Sequence, residues 1–198
     1  MPLTIHVHQP RMWWRADATA LHKFVASDPD QDDGKTTPRW PDRDHQRWAE
    51  IAAAAYRAGQ QLAAGQWTAC DEDTAELTIE APEDLTKTER EIISSWFSGH
   101  EAVMWDPWFT PITNGRHRVW NSLSALPTAV LPVHGDALGY ANPADAKVLG
   151  EGWHRHFQKN LDQLDGLDWF DYSDPLNARF RDSLTQAAAG KFPDFTAH

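Results

Sequence analysis

One stretch of the chain gathers residue types that bind anions. It reads Pro111-Ile112-Thr113-Asn114-Gly115-Arg116-His117-Arg118-Val119-Trp120, then, after a short helical pattern, Ala129-Val130-Leu131-Pro132-Val133. Glycine lets the backbone take positive φ and come close to a ligand, the first N–H groups of a helix favour negative charge, and arginine adds a permanently charged, bidentate clamp. Asn114, Gly115, Arg116, His117 and Arg118 are therefore candidate phosphate ligands, with a helix over 116–124 aiming its N-terminus at the phosphate. The same residues also spell a β-hairpin, with Asn-Gly as the turn between strands 109–113 and 116–120, and that needs no ligand. Both readings stand at this level.

The stretch resembles the signature of the ParB/sulfiredoxin superfamily, in which a strand ends in a small-Gly-x-(His/Arg)-Arg turn and leads into a helix and an I-P-V strand. Here the turn is N-G-R-H-R and the strand carries L-P-V, so the resemblance covers about 30 of the 198 residues. It implies a ParB/sulfiredoxin-like core that binds a nucleoside phosphate, with Gly115 making the turn, Arg118 at the phosphate and His117 beside it as a polar contact or proton shuttle. Arg116 falls at a variable position and ranks below Arg118. NTP hydrolysis or phosphotransfer, known in some members, would call for Mg²⁺ with the nucleotide and for a carboxylate. Asp106 and Glu101 are the nearest in sequence, and no catalytic residue is otherwise assigned. Two departures narrow the resemblance. Partition proteins carry a helix-turn-helix after this core, whereas the two C-terminal helical patterns here are separated by an acidic loop, 165–174, too long for that unit. Sulfiredoxins carry a cysteine beside the glycine, where this chain has Arg116.

Other constellations have plainer readings. His6 and His8 share one face of an alternating segment and have the geometry of two metal ligands, although a polar strand face explains them as well. His154 and His156 lie two apart in a helical pattern, about 200° around the axis, so they do not chelate one ion together. Cys70 is the single cysteine, so an internal disulfide is excluded and thiol chemistry is not expected. Of the eleven tryptophans, Trp48, Trp96, Trp120 and Trp153 fall on helical stripes and read as core. Trp13, Trp14, Trp40, Trp105 and Trp108 fall in expected loops and are the ones that could face a partner. The acidic runs Asp28 to Asp33, Asp71 to Asp73 and Asp162 to Asp174 read as solvated loops. Together with the loop tryptophans they define a second reading, a non-catalytic, acidic, Trp-rich interaction protein that binds a basic partner protein or mimics nucleic acid.

The elements that must position these residues follow from periodicity. Residues 3–8 alternate as a short strand, with Leu3, Ile5 and Val7 on one face, and Thr74 to Ala81 alternate as a second. Asp44 is a candidate cap for a helix carrying Trp48, Ile51, Ala55, Ala58 and Leu62, with Gly65 at its end. Thr86 and Glu89 fit a capping box for a helix burying Ile92, Ile93, Trp96 and Phe97 and stopping at Gly99. Strands are expected over 108–113 and 128–134, the latter at a sheet edge because of Pro132. Asn142-Pro143 and Asp174-Pro175 each open a helix, the second burying Leu176, Phe180 and Leu184.

The expected fold is thus α/β or α+β, a small mixed sheet flanked by helices. Residues 1–140 form its core, with a mobile loop near 27–43, and residues 141–198 form a helical C-terminal extension packed on it. The chain has 198 residues, 18 basic against 29 acidic, for a net charge of −11. That is the wrong sign for wrapping duplex DNA, so no direct duplex binding is expected. No apolar run is long enough for a membrane span, and no signal-peptide core is present. A soluble, cytoplasmic protein is expected.

Overall fold

The computed structural model describes residues 1–26, 45–71, 73–105, 114–135, 152 and 154–191. The loop near 27–43, the strand over 108–113, Asp106, the Asn142-Pro143 helix start, Trp40, Trp108 and Trp153 lie outside the described residues, as does Asp44. The class is α/β as expected, but among the described residues two small antiparallel sheets stand where one mixed sheet was expected. The first has the order β1 (Pro2–His8), β4 (Thr74–Glu80), β3 (Thr68–Ala69). The second pairs β2 (Trp13–Ala16) with β5 (Leu131–His134).

In the first sheet the period-two pattern does what it promises. Ile5 and Val7 of β1 and Ala75, Leu77 and Ile79 of β4 are buried, while His6, Glu76, Thr78 and Glu80 face solvent. The register sets Ile5 opposite Leu77 and His6 opposite Glu76, so one sheet face belongs to the core and the other is polar.

β2 behaves differently, and the difference corrects the reading of the tryptophans. Trp13 and Trp14 are fully buried on opposite faces of β2. No alternation marks this strand because both faces are covered. Each indole N–H is satisfied, Trp13 donating to the His8 carbonyl at 2.8 Å and Trp14 to the Trp105 carbonyl at 3.0 Å. Trp105 is buried too, packed between Trp14 and Trp169. None of these three faces a partner. They fill a core that is short of branched aliphatics.

Among the described residues, six helices frame the sheets. α1 (Ala18–Ala26) starts where the Asp17 carboxylate accepts from the Ala20 amide at 2.8 Å. α2 (Trp48–Ala64) buries the whole expected stripe and ends at Gly65, φ 72°, with Arg47 rather than Asp44 at the N-cap position. α3 (Lys87–Phe97) opens with the expected capping box and gives way at Ser98 to a 3₁₀ turn over Gly99–Glu101. α4 (Arg116–Ala125) buries Val119 and Leu123. α5 (His154–Asp165) and α6 (Pro175–Ala188) are the C-terminal pair. α6 buries Leu176, Phe180 and Leu184 as expected.

β5 is shorter than the strand expected over 128–134. Its proline pairs with Arg15 in a two-stranded sheet, where losing one donor is tolerated. No helix among the described residues is long and apolar enough to cross a membrane.

Candidate functional site

The Asn114–Arg118 segment starts α4, and the hairpin reading falls here: Arg116 is the first residue of a helix, not of a returning strand. Asn114 is held from three sides. Its carbonyl accepts from the Met104 amide at 3.2 Å, its side-chain amide donates to the His100 carbonyl at 2.8 Å, and its Oδ1 accepts from the Gly115 amide at 2.8 Å. Gly115 sits at the N-cap position with φ 90°, and α4 has no side-chain cap. A Cβ on Gly115 would lie 2.6 Å from Val103 Cγ2 and 2.8 Å from Val103 Cα. Glycine is therefore required twice over, by the positive φ and by the close approach to Val103, before any ligand is considered.

Arg118 departs from the expectation of a clamp waiting for its anion. It is buried, and one guanidinium nitrogen donates to the Ser95 carbonyl at 2.6 Å and the Ser95 hydroxyl at 3.1 Å. The other donates to the Glu101 carbonyl. These bonds tie α4 to the end of α3 and to the 3₁₀ turn. The charge that spacing assigns to a phosphate is engaged in holding the fold.

Those ties leave a cleft of about 1020 Å³ between α3, the 3₁₀ turn and the start of α4. Asn114, Gly115, His117 and Arg118 line it together with Lys87, Arg90, Glu91, Ser94, Ser98, His100 and Glu101, whereas Arg116 is not among the lining residues. Lys87 is exposed and 3.6 Å from Glu91, and Arg90 donates to the Glu83 carbonyl at 3.2 Å. The wall thus brings four basic side chains besides Arg118, namely Lys87, Arg90, His100 and His117, to the start of a helix whose N-cap residue is a glycine. The first amides of a helix have no partner inside it, so such an end attracts anions. Sequence reasoning missed Lys87, Arg90 and His100. The capping box marked α3 as a helix, but nothing in its spacing says that its polar edge faces residues 114–118.

A second cavity of about 260 Å³ lies between β2, α2 and the start of α6. Its arginine is already engaged: Arg15 meets Asp174 at 2.7 Å and lies over the Tyr56 ring at 5.2 Å.

His6 and His8 sit in different surroundings. His6 is exposed, while His8 stacks on His134 with ring centroids 5.4 Å apart. His134 is fully buried, and neither ring nitrogen has a hydrogen-bond partner among the described residues. Burial, with the charge of His8 acting the same way, pushes its pKa down to about 3, so the ring stays neutral. His154 and His156 are exposed on α5. Comparison with protein-family models, with curated proteins and with solved structures finds no match.

Proposed function

We propose that this protein binds a nucleoside phosphate in the cleft between α3 and the start of α4. The observation that carries the reading is the glycine-led start of α4 on the wall of a cleft that also holds Lys87, Arg90, His100 and His117. The chain is acidic overall, so a basic lining is not what chance placement gives. The likeness to ParB/sulfiredoxin-like proteins supports the same ligand class, with the roles redistributed. Gly115 and Arg118 shape the wall, and the first amides of α4 with His117 and Lys87 meet the phosphates. Glu101 and Glu91 on the same wall fit the demand of a nucleotide-borne Mg²⁺, which takes one or two protein carboxylates and keeps its phosphate and water ligands. Mg²⁺ would supply charge neutralisation for hydrolysis or phosphotransfer. The setting this reading implies is the cytoplasm, where such ligands are abundant. Three of the five tryptophans on which the interaction-protein reading drew, Trp13, Trp14 and Trp105, are core.

The test is thermal stabilisation of the wild type by a panel of nucleotides, with and without Mg²⁺. At a hundred times Kd a ligand adds about 2.7 kcal/mol, which for a chain of this size is a rise in Tm of roughly 5–10 °C. Lys87→Ala and His117→Ala are expected to shrink that rise without lowering the Tm of the free protein much. A flat response to every nucleotide at millimolar concentration removes the proposal.

A further inference from the structure

The polar face of the first sheet carries a cluster that the anion cleft does not use. His6 of β1 stands opposite Glu76 of β4 in the antiparallel register, and Thr68 of β3 stands opposite Glu76 from the other side. Cys70 follows β3 by one residue, and its amide donates to the Thr74 carbonyl at 2.9 Å, so the ladder continues to it. Two residues beyond Thr68, its side chain returns to the face that carries Glu76 and His6. One ligand atom from each of His6, Cys70 and Glu76 lies within 4.8 Å of the other two. All three side chains are exposed. Three strands thus contribute one imidazole, one thiol and one carboxylate to a single point of the surface.

We propose that His6, Cys70 and Glu76 form a site for a borderline divalent cation, zinc above all, with water in the fourth position. The ligand set decides the metal class. A thiolate selects against Mg²⁺ and Ca²⁺, which take oxygen ligands, and imidazole with thiolate and carboxylate suits Zn²⁺, Co²⁺ and Cu²⁺. The separations decide that the site can close. Tetrahedral Zn–N, Zn–O and Zn–S bonds of about 2.0–2.3 Å place ligand atoms roughly 3.3–3.8 Å apart, so the cluster must contract by about an ångström. Exposed side chains on fixed strands do that by rotamer adjustment, with no backbone movement. Three protein ligands with one open position is the arrangement of zinc sites that keep a bound water. Binding displaces the Cys70 thiol proton to solvent and forms the metal–sulfur bond in its place. Among the described residues, the bond that binding costs Cys70 is a weak thiol contact with the Thr68 carbonyl at 3.8 Å. Asp71 and Asp73 in the adjoining turn add negative charge nearby, and the chain as a whole is strongly acidic, both of which favour a cation.

The site is separate from the phosphate cleft, and its test is independent of nucleotide. The full chain, kept reduced, is titrated with Co²⁺, whose tetrahedral thiolate complexes absorb in the near ultraviolet and show intense visible d–d bands, and then back-titrated with Zn²⁺. The expected result is one Co²⁺ per chain with a thiolate charge-transfer band that Zn²⁺ abolishes. Cys70→Ser removes the band. His6→Ala and Glu76→Gln each weaken binding by at least about tenfold, the least that losing a metal's supporting contacts costs. Because all three residues are exposed, the variants keep the wild-type circular dichroism and Tm in the absence of metal. The proposal is overturned by the absence of a thiolate band in the reduced wild type. It is equally overturned by a band whose strength is indifferent to His6→Ala and Glu76→Gln, or by one that requires two chains per ion.

Discussion

Two helix starts in this molecule solve the same problem in opposite ways. At α6 the end is closed. Asp174 accepts from the Leu176 and Asn177 amides at 2.8 and 3.4 Å, Pro175 removes one donor from the count, and the same carboxylate meets Arg15 at 2.7 Å. Asn177 reaches back to the Arg15 backbone, accepting from its amide at 2.5 Å and donating to its carbonyl at 3.2 Å. At α4 the N-cap residue itself contributes nothing. A glycine stands where the cap belongs and so offers no side chain to cap the turn, and a basic cleft lies alongside. Proline-led, aspartate-capped starts serve stability, whereas the glycine-led start beside lysine, arginine and histidine is the feature on which the proposed phosphate site rests. α3 lies between the two, with a capping box whose Glu89 also binds Arg47 through Nε at 3.2 Å and Nη2 at 3.0 Å.

The contrast makes measurable demands. Opening the closed end is the most costly change: Asp174→Ala removes the cap and strands Arg15, whose side chain is only 9% exposed. The expected loss is about 3–5 kcal/mol, the cost of breaking a buried pair, read by urea unfolding. A loss under about 1 kcal/mol would show that α6 is not held by its start. Gly115→Ala comes next, at about 2–3 kcal/mol, from the strained φ and the clash with Val103. If it left Tm unchanged, the turn would have to be looser than its contacts imply.

Acid should act on α3. Hydrogen bonds from Arg47 and the box amides hold Glu89 at a pKa of about 2, against 4.5 for the free group. Its contribution is complete above pH 4.5 and is lost as pH falls towards 2, with a slope of at most about 1.4 kcal/mol per pH unit. Glu89→Gln should flatten that part of a stability profile, and an unchanged acid limb would assign it elsewhere. The smallest effect belongs to a residue outside all three helix starts. Cys70→Ser, at an exposed position, should change metal-free stability by less than about 0.5 kcal/mol in chemical denaturation.

How much of this was legible depended on whether one face of an element meets water. β1, β4, α2 and α3 are half exposed, so their apolar residues fall into period, and the Thr86–Glu89 box and the Asp174-Pro175 start are local signals that need no partner. β2 is covered on both faces, so Trp13-Trp14 carries no period and reads as loop. The same limit applies to Arg118. Its spacing from Gly115 places it in the first turn of a helix, but which acceptors lie across from it is set by α3, more than twenty positions earlier, with Ser95 as the partner. The His6–Glu76–Cys70 grouping was hidden for a related reason: strand register, not sequence distance, makes them neighbours.

The joining of β2 to α6 also sets a timetable. Arg15 bonds to Asp174 and Asn177 across separations of 159 and 162 residues, and β5, the other partner of β2, lies beyond residue 130. Contacts that close so long a segment form late, because the entropy of bringing the ends together must be met first. On the ribosome, at about 5–20 residues per second, the strand bearing Trp13 and Trp14 waits roughly ten to thirty seconds for α6 to be made. Through that interval two large indoles lack their C-terminal cover. A nascent chain of this kind invites chaperone capture, and its yield in the cell should respond more to synthesis rate and holdase supply than equilibrium stability alone would suggest.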